Sequence, residues 1–209
     1  MEQGVDNLRV RPLSTPDLHL RTCLVLNDEG RIISTREPEA SRGPLFTLVR
    51  SETSCAWAVR TDVPTGLASD LARLARDEPP TFALRDAPVH ADRYLSLLGD
   101  RIASSQVPGT KTRRSDGPAF EFPDSLAQSA DVVVVEDERL LEHNFRGWAP
   151  GEIEAGRSPV LAIVENGYPV SICYCARRSD GAAEAGLDTV ARKLNLVTYA
   201  SHWSLSDRC

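Results

Sequence analysis

Residues 158–178, SPVLAIVENGYPVSICYCARR, contain the pattern that decides the fold of this chain. Two apolar runs, Val160 to Glu165 and Pro169 to Ala176, flank the dipeptide Asn166-Gly167. Asn-Gly between two such runs is the strongest short-range signal for a β-hairpin, because both residues tolerate the positive φ of a type I′ turn. The stretch therefore predicts two neighbouring antiparallel strands joined by a tight turn.

The residues before this hairpin predict another strand and a helix. Residues 130–135, ADVVVV, are a short β-branched run that is typical of a buried strand. Residues 137–145 have helical spacing, and residues 152–156 add one helical turn. A strand, a helix and a helical turn therefore lead into the hairpin.

A loop separates two parts of the chain. Residues 107–124 hold three prolines, two glycines and the basic run KTRR at 111–114. Prolines and glycines at this density interrupt regular structure. The sequence predicts an N-terminal α+β region over residues 1–117 and a C-terminal domain over residues 118–209. The basic run suits either a phosphate contact or a solvated loop.

The N-terminal region predicts two hairpins followed by two helices. Short apolar runs around polar turn clusters indicate the strands, and leucines at helical spacing indicate the helices. These elements are strands over residues 20–26, 31–35, 45–50 and 55–60 and helices over residues 65–77 and 92–102. The whole chain thus predicts an α+β fold, with a mixed, mostly antiparallel sheet and flanking helices.

The stretch after the hairpin, DGAAEAGLDTVARKLNLVTY at 180–199, predicts a strand that runs directly into a helix. The strand covers Ala182 to Thr189, the helix covers Val190 to Leu196, and a closing strand follows over residues 197–205. A parallel crossover needs about a dozen residues or more. A helix this short therefore cannot return the chain along a neighbouring parallel strand.

The composition excludes several classes of partner. The net charge of −6 argues against a general nucleic-acid surface. No apolar run is long enough to span a bilayer, and the polar N-terminal residues lack the apolar segment of a secretory signal. The five cysteines are odd in number and widely spaced, which favours reduced thiols. We therefore expect a cytoplasmic protein without nucleic-acid or membrane partners.

No short motif assigns a chemistry. The chain has no P-loop, no G-x-G-x-x-G and no G-x-S-x-G, and none of its four histidines has a metal-site spacing, so we expect no metal. Cys173 and Cys175 point to one face of a predicted strand, and we interpret them as core residues. Glu184 lies among Ala, Gly and Leu. It is either a general base or a strand-end residue that faces water.

The order of these elements resembles the GNAT family of N-acetyltransferases. Residues 158–178 are similar to its second and third strands, and AAEAGLDT at 182–189 is similar to its fourth strand. Residues 190–205, VARKLNLVTYASHWSL, are similar to the end of its last helix and the strand that follows. Asn195 stands where glycine is usual, and the matching residues in this segment are Ala191, Lys193, Leu194, Leu196 and Tyr199. The resemblance covers about residues 130–209.

The resemblance implies an enzyme that transfers an acetyl group from acetyl-CoA, its co-substrate, to an amine of a small molecule or peptide. Leu187, Asp188 and Thr189 correspond to the strand whose backbone contacts the pantetheine arm of acetyl-CoA. Glu184 corresponds loosely to the catalytic base that deprotonates the amine.

One contiguous block of the family pattern is missing. In the family, a loop of the type R/Q-x-x-G-x-G/A follows the fourth strand and binds the diphosphate, and a helix and a fifth strand come next. Here Thr189 is followed at once by Val190. We interpret the chain as an incomplete GNAT fold with an internal deletion. Each lost charge-assisted hydrogen bond contributes about 1.5–3 kcal/mol, so CoA binding is expected to weaken.

The same deletion suggests a second class of function. Without a fifth strand, the fourth strand has an exposed edge, and exposed edges pair with other strands. The alternative is therefore a non-catalytic remnant or an interaction module. Such a module forms a homo-oligomer or binds a partner through its sheet edge.

Overall fold

A computed structural model of the 209-residue chain describes residues 14–83, 86–104, 112–115, 119, 131–190 and 203–207. This part of the chain has a mixed α+β fold with three antiparallel sheets and several helices, which confirms the predicted fold class. None of the helices described has both the length and the apolar character that crossing a membrane requires.

The described chain begins with a helix where a strand was predicted. Helix α1 covers Thr15–Cys23 and leads directly into strand β1, Leu24–Leu26, which pairs with β2, Ile32–Thr35. The Ser14 hydroxyl accepts a hydrogen bond from the backbone N–H of Asp17 at 3.3 Å, which caps the helix. The prediction of a strand from residue 20 was therefore wrong, whereas the hairpin after residue 23 is confirmed.

The second hairpin and both helices of the N-terminal region are confirmed. Strand β3 pairs with β4, and helix α2 packs on β4. The buried residues of this layer include Phe46, Leu71, Tyr94 and Leu98. The bounds are β3 Phe46–Arg50, β4 Cys55–Val59, α2 Thr65–Arg76 and α3 Ala91–Ser104.

Two further strands extend this sheet. Strand β5, Thr112–Ser115, lies inside the predicted loop, so that prediction was wrong for Arg113 and Arg114. Strand β10, Trp203–Asp207, pairs with β3 and β5 and gives the order β4-β3-β10-β5. A strand from the predicted C-terminal domain thus belongs to the sheet of the N-terminal region. The domain boundary at 117/118 stays a prediction.

A second four-stranded antiparallel sheet follows, in the order β6-β7-β8-β9. The predicted hairpin is confirmed, since Asn166 and Gly167 have φ of 53° and 83° and join β7 to β8. The bounds are β6 Val132–Val134, helix α4 Arg139–Glu142, a π-helical turn Ile153–Arg157, β7 Val160–Glu165, β8 Tyr168–Arg178 and β9 Ala183–Thr189. The predicted helix over residues 190–196 lies outside the described residues from 191 onward.

One face of this second sheet is covered and buried. Val160, Ala162 and Ile172 pack there against Leu141 and Phe145. The segment between β6 and β7 supplies both of the latter residues, so it covers the sheet to which it is connected. This packing fixes β8, and β8 in turn holds β9 through seven paired residues.

Strand β6 is not buried, which contradicts the prediction for residues 130–135. Val132, Val133 and Val134 are 38%, 46% and 61% exposed, whereas Val135 is buried. The reason is its position, because β6 pairs only with β7 and forms an edge of the sheet among the described residues. A run of valines has the same pattern at the centre and at the edge of a sheet, so the sequence alone does not distinguish them.

Candidate functional site

Strand β9, which holds the residues predicted to contact pantetheine, forms the other edge of the sheet. Among the described strands it pairs only with β8, where Leu187 lies opposite Cys173. The N–H of Val190 donates to the carbonyl of Val170 at 3.0 Å. Because hydrogen-bonded pairs alternate along an antiparallel ladder, the backbone of Asp188 faces β8 and that of Leu187 faces the free edge.

The three predicted pantetheine residues therefore have different environments. Leu187 presents its N–H and C=O at the edge that no described strand covers, and the residue is 51% exposed. The N–H of Thr189 donates to the carboxylate of Asp188 at 2.8 Å, and the Thr189 hydroxyl lies 3.0 Å from that of Ser171. Leu187 is thus the residue of the three that is best placed to bond a ligand through its backbone.

On one face of β9, which we call the covered face, the Tyr174 ring of β8 packs directly against Gly186. A Cβ atom at Gly186 would lie 2.5 Å from Cε2 of Tyr174, so the phenol ring occupies the space that a side chain would need. Trp148 lies edge-on to this ring with centroids 5.3 Å apart, and the Arg157 guanidinium lies 5.0 Å from the Tyr174 centroid. A glycine inside a strand often marks such a close approach, and this signal was available in the sequence.

Glu184, the predicted base, lies at the start of β9 opposite Arg177 of β8. The Arg177 guanidinium donates to Glu184 and also to Glu37, so it joins two parts of the chain. The Glu184 side chain is 21% exposed. Neither predicted environment is observed. The neighbours of Glu184 include a charged arginine, and its side chain is mostly buried and does not face water. It forms an ion pair beneath helix α1.

Helix α1 brings two further functional groups to this ion pair. The Cys23 thiol donates to a Glu184 oxygen at 3.9 Å and lies 3.6 Å from Nε2 of His19. Sequence reasoning missed this group because residues 20–26 were predicted as a strand. His19 and Cys23 are four residues apart, so a helix places them on one face. We call His19, Cys23, Arg177 and Glu184 the α1–β9 cluster.

The electrostatics of the α1–β9 cluster argue against nucleophilic catalysis by Cys23. Burial, assisted by the negative charge of Glu184, raises the pKa of Cys23 to about 12. Burial lowers the pKa of His19. Burial also disfavours the charged Arg177, but Glu184 and Glu37 outweigh it and raise the pKa of Arg177. At neutral pH the thiol is protonated and a poor nucleophile. The contacts of the cluster join α1 to β8 and β9.

Cys173 and Cys175, which the sequence predicted to be core residues, lie on the strand next to β9. Cys173 and Cys175 share one face of β8, where Cys175 is buried and Cys173 half-buried. In the portion of the chain that the structure describes, no group of three or more His, Cys, Asp or Glu side chains is arranged to hold a metal ion. The chemistry of the described site therefore depends on backbone groups, one ion pair and a protonated thiol.

Comparisons with known proteins add no assignment. No family model matches the chain, and no curated protein or solved structure matches it significantly. The resemblance to the GNAT family therefore stays a prediction from the sequence motifs. The described site itself consists of a strand edge open at Leu187 and a carboxylate, Glu184, held by Arg177.

Proposed function

We propose that this chain is an N-acetyltransferase-like protein that binds acetyl-CoA along the free edge of β9 and transfers the acetyl group to an amine. The observation that carries the proposal is the outward-facing backbone of Leu187, in the strand that corresponds by resemblance to the pantetheine-contacting strand. Pantetheine is an extended chain with amide groups. It can therefore bond to a strand edge as an added strand does.

In the proposed transfer, the amine nitrogen attacks the carbonyl carbon of the thioester. The C–N bond forms, the C–S bond breaks, and CoA leaves as a thiolate, while a base takes the amine proton. By resemblance, this base is Glu184. Because Arg177 bonds to both Glu184 and Glu37, a shift of the guanidinium toward Glu37 frees Glu184 for the proton without leaving Arg177 unpaired.

The missing diphosphate loop predicts an unusual ligand preference. With no phosphate-binding motif after Thr189, the affinity depends on contacts to the acetyl group and the pantetheine arm. We expect acetyl-CoA and S-acetyl-pantetheine, which lacks the nucleotide and diphosphate, to bind with dissociation constants within about tenfold, or about 1.4 kcal/mol, of each other. Isothermal titration with both compounds tests this expectation. No heat with either compound at millimolar concentration would contradict the proposal.

A pair of substitutions at Leu187 tests the strand edge directly. Leu187→Pro removes the outward N–H but leaves the hydrogen bonds to β8, because that N–H does not face β8. Leu187→Ala shortens the side chain and keeps the N–H. We expect the proline variant to lose about tenfold in acetyl-CoA affinity, since one hydrogen bond contributes about 0.5–1.5 kcal/mol. We expect the alanine variant to bind nearly as the original chain does.

A second candidate function is a non-catalytic interaction module. The observation that favours it is the row of exposed valines on β6, together with the missing phosphate loop. A release assay for free CoA thiol separates the two candidates. Thiol release that depends on an added amine and is reduced by Glu184→Gln supports acetyl transfer. Binding without any turnover over a panel of amines supports the interaction module.

A further inference from the structure

The carboxylate of Glu184, the base in the proposed transfer, is covered in the described structure. One of its oxygens accepts hydrogen bonds from both the Arg177 guanidinium and the Cys23 thiol, and the side chain is 21% exposed. A general base must come within about 2.6–3.2 Å of the proton that it takes, directly or through one water. An amine therefore needs a path to Glu184 that the end of helix α1 occupies.

Helix α1 has two interfaces that differ in their chemistry. Toward the sheet of β3 and β4, Leu20 and Cys23 lie in one buried apolar cluster with Ala56 and Ala58 of β4. Separating the helix from β4 would return this apolar surface to water, which is unfavourable. Helix α1 is therefore expected to stay with β4 when other contacts break.

The contacts of α1 with the second sheet are mainly polar. The Thr22 hydroxyl lies 3.1 Å from the Ser179 hydroxyl in the turn after β8, and the Cys23 thiol donates to Glu184 at 3.9 Å. Polar groups that separate form hydrogen bonds to water instead, so the net cost of breaking each contact is small. The interface with the second sheet is thus the one that opens more easily.

Glu37 is attached to the helix side of this interface. The N–H of the preceding residue, Arg36, donates to the carbonyl of Cys23 at 3.0 Å, and its guanidinium donates to two further carbonyls at this end of the helix. The Arg177 guanidinium therefore bonds to one carboxylate on each side, Glu37 beside α1 and Glu184 on β9. If α1 withdraws with Glu37, the guanidinium can follow and leave Glu184.

We propose that the contact between helix α1 and the β8–β9 hairpin is an autoinhibitory gate over Glu184. The closed state is the one described above. In the open state, α1 stays with β4 and separates from the second sheet, and Glu37 draws the Arg177 guanidinium off Glu184. The amine then reaches Glu184, which takes its proton during transfer. The role of the gate rests on the proposed acetyl transfer, whereas its opening can be measured without turnover.

A disulfide across the gate tests the proposal. Thr22→Cys and Ser179→Cys together replace two hydroxyls 3.1 Å apart with thiols that oxidised glutathione can join. With the acetylated amine measured by mass spectrometry, we expect turnover by the oxidised double variant to be at least about tenfold slower than after its reduction. Each single substitution is a matched control that cannot form the bond and should be insensitive to oxidation. Equal turnover of the oxidised and reduced double variant overturns the proposal.

Modification of the Cys23 thiol measures the opening without turnover. Cys23 is 4% exposed, so a maleimide reaches it only when α1 separates from the second sheet or when the chain unfolds. Local opening depends little on urea below the unfolding transition, whereas global unfolding depends on it steeply. We expect labelling of Cys23, read by peptide mass spectrometry, to be nearly independent of urea in this range and to slow in the oxidised double variant.

The two measurements separate failure of the gate from failure of the transfer. Labelling of Cys23 that slows on oxidation, without turnover in any form, supports the opening and contradicts acetyl transfer. Turnover in the reduced form, with labelling of Cys23 that the disulfide does not slow, supports acetyl transfer and overturns the gate.

Glu37→Gln tests the withdrawal of the guanidinium. Without the Glu37 carboxylate, Arg177 stays with Glu184 when the gate opens, so we expect turnover to fall about tenfold while labelling of Cys23 does not slow. Loss of a merely structural contact would instead raise opening and turnover together. Glu39→Gln removes an exposed carboxylate two residues away and should change neither rate. Turnover that Glu37→Gln leaves unchanged or raises overturns the proposal.

Discussion

The two edges of the second sheet differ in composition and in how they are held. The β6 edge consists of valines and has no charged side chain between Val132 and Val134. The β9 edge consists mainly of small residues, and it is fixed at one end by Arg177 and on one face by Tyr174. The comparison teaches that an open strand edge acquires a defined shape only where neighbouring side chains fix it. The β9 edge meets that condition, and in our proposal it binds the amide chain of pantetheine.

The largest effect is expected where the fixed edge meets helix α1. Arg177→Met leaves Glu184 and Glu37 without their shared cation in a partly buried site. Removing one partner of a fully buried pair costs about 3–5 kcal/mol, and partial exposure reduces this to about 3 kcal/mol here. Urea denaturation measures the free energy of unfolding. Val133→Lys, at the other edge, should by contrast leave the α1–β9 cluster unchanged.

Arg178→Met is the matched control for the arginine prediction. Arg178 is exposed and donates to the carbonyl of Ser158 at 2.8 Å, with no carboxylate partner in the described ion pairs. Its loss should cost about 0.5 kcal/mol or less. Equal losses for the two arginine variants would contradict a specific role for Arg177.

The next effect concerns the covered face of β9. Gly186→Ala places a methyl group against the Tyr174 ring, which Trp148 and Arg157 hold in place. Overpacking of this kind costs about 1–3 kcal/mol, so we expect a loss of about 2 kcal/mol in thermal or urea denaturation. In a Tyr174→Leu background the same glycine substitution should cost much less. A loss that is independent of Tyr174 would show that the strand itself, not the ring, resists the methyl group.

The smallest effect concerns pH. Burial lowers the pKa of His19, so the unfolded chain binds a proton there more readily than the folded chain does. The contribution of His19 to stability is therefore complete above its unfolded pKa of about 6.5 and declines as the pH falls through that value. Chemical denaturation on both sides of about pH 6.5 should show this decline, and His19→Gln should reduce it. If the stability of His19→Gln declines with pH as much as that of the original chain, other groups cause the pH dependence.

Parts of this arrangement could be predicted from local sequence. Asn166-Gly167 specifies its hairpin because the turn residues themselves carry the required backbone conformation. Helix α1 has its own signals, a capping Ser14 and Pro16 in the first turn, but it extends into residues from Leu20 onward whose alternation predicts a strand. The exposure of β6 could not be predicted, because neighbours in space, not the valines, decide it.

The candidate site shows the same limit. Glu184 was identified as a candidate base from its apolar surroundings in sequence, but its partners are distant along the chain. The thiol of Cys23 is 161 residues away, and Glu37 meets Arg177 across 140 residues. Contacts at such separations depend on how helix α1 packs against the second sheet. No spacing rule within either segment contains that information.

Residue-resolved hydrogen exchange tests the difference between the two edges most directly. The amide of Leu187 should exchange more slowly when acetyl-CoA is added, because the proposed ligand accepts its hydrogen bond. The amides of Val132 and Val134, at the other edge, should exchange at the same rate with and without acetyl-CoA. The account is contradicted if acetyl-CoA leaves the Leu187 amide unchanged, or if it slows the valine amides as much as the Leu187 amide.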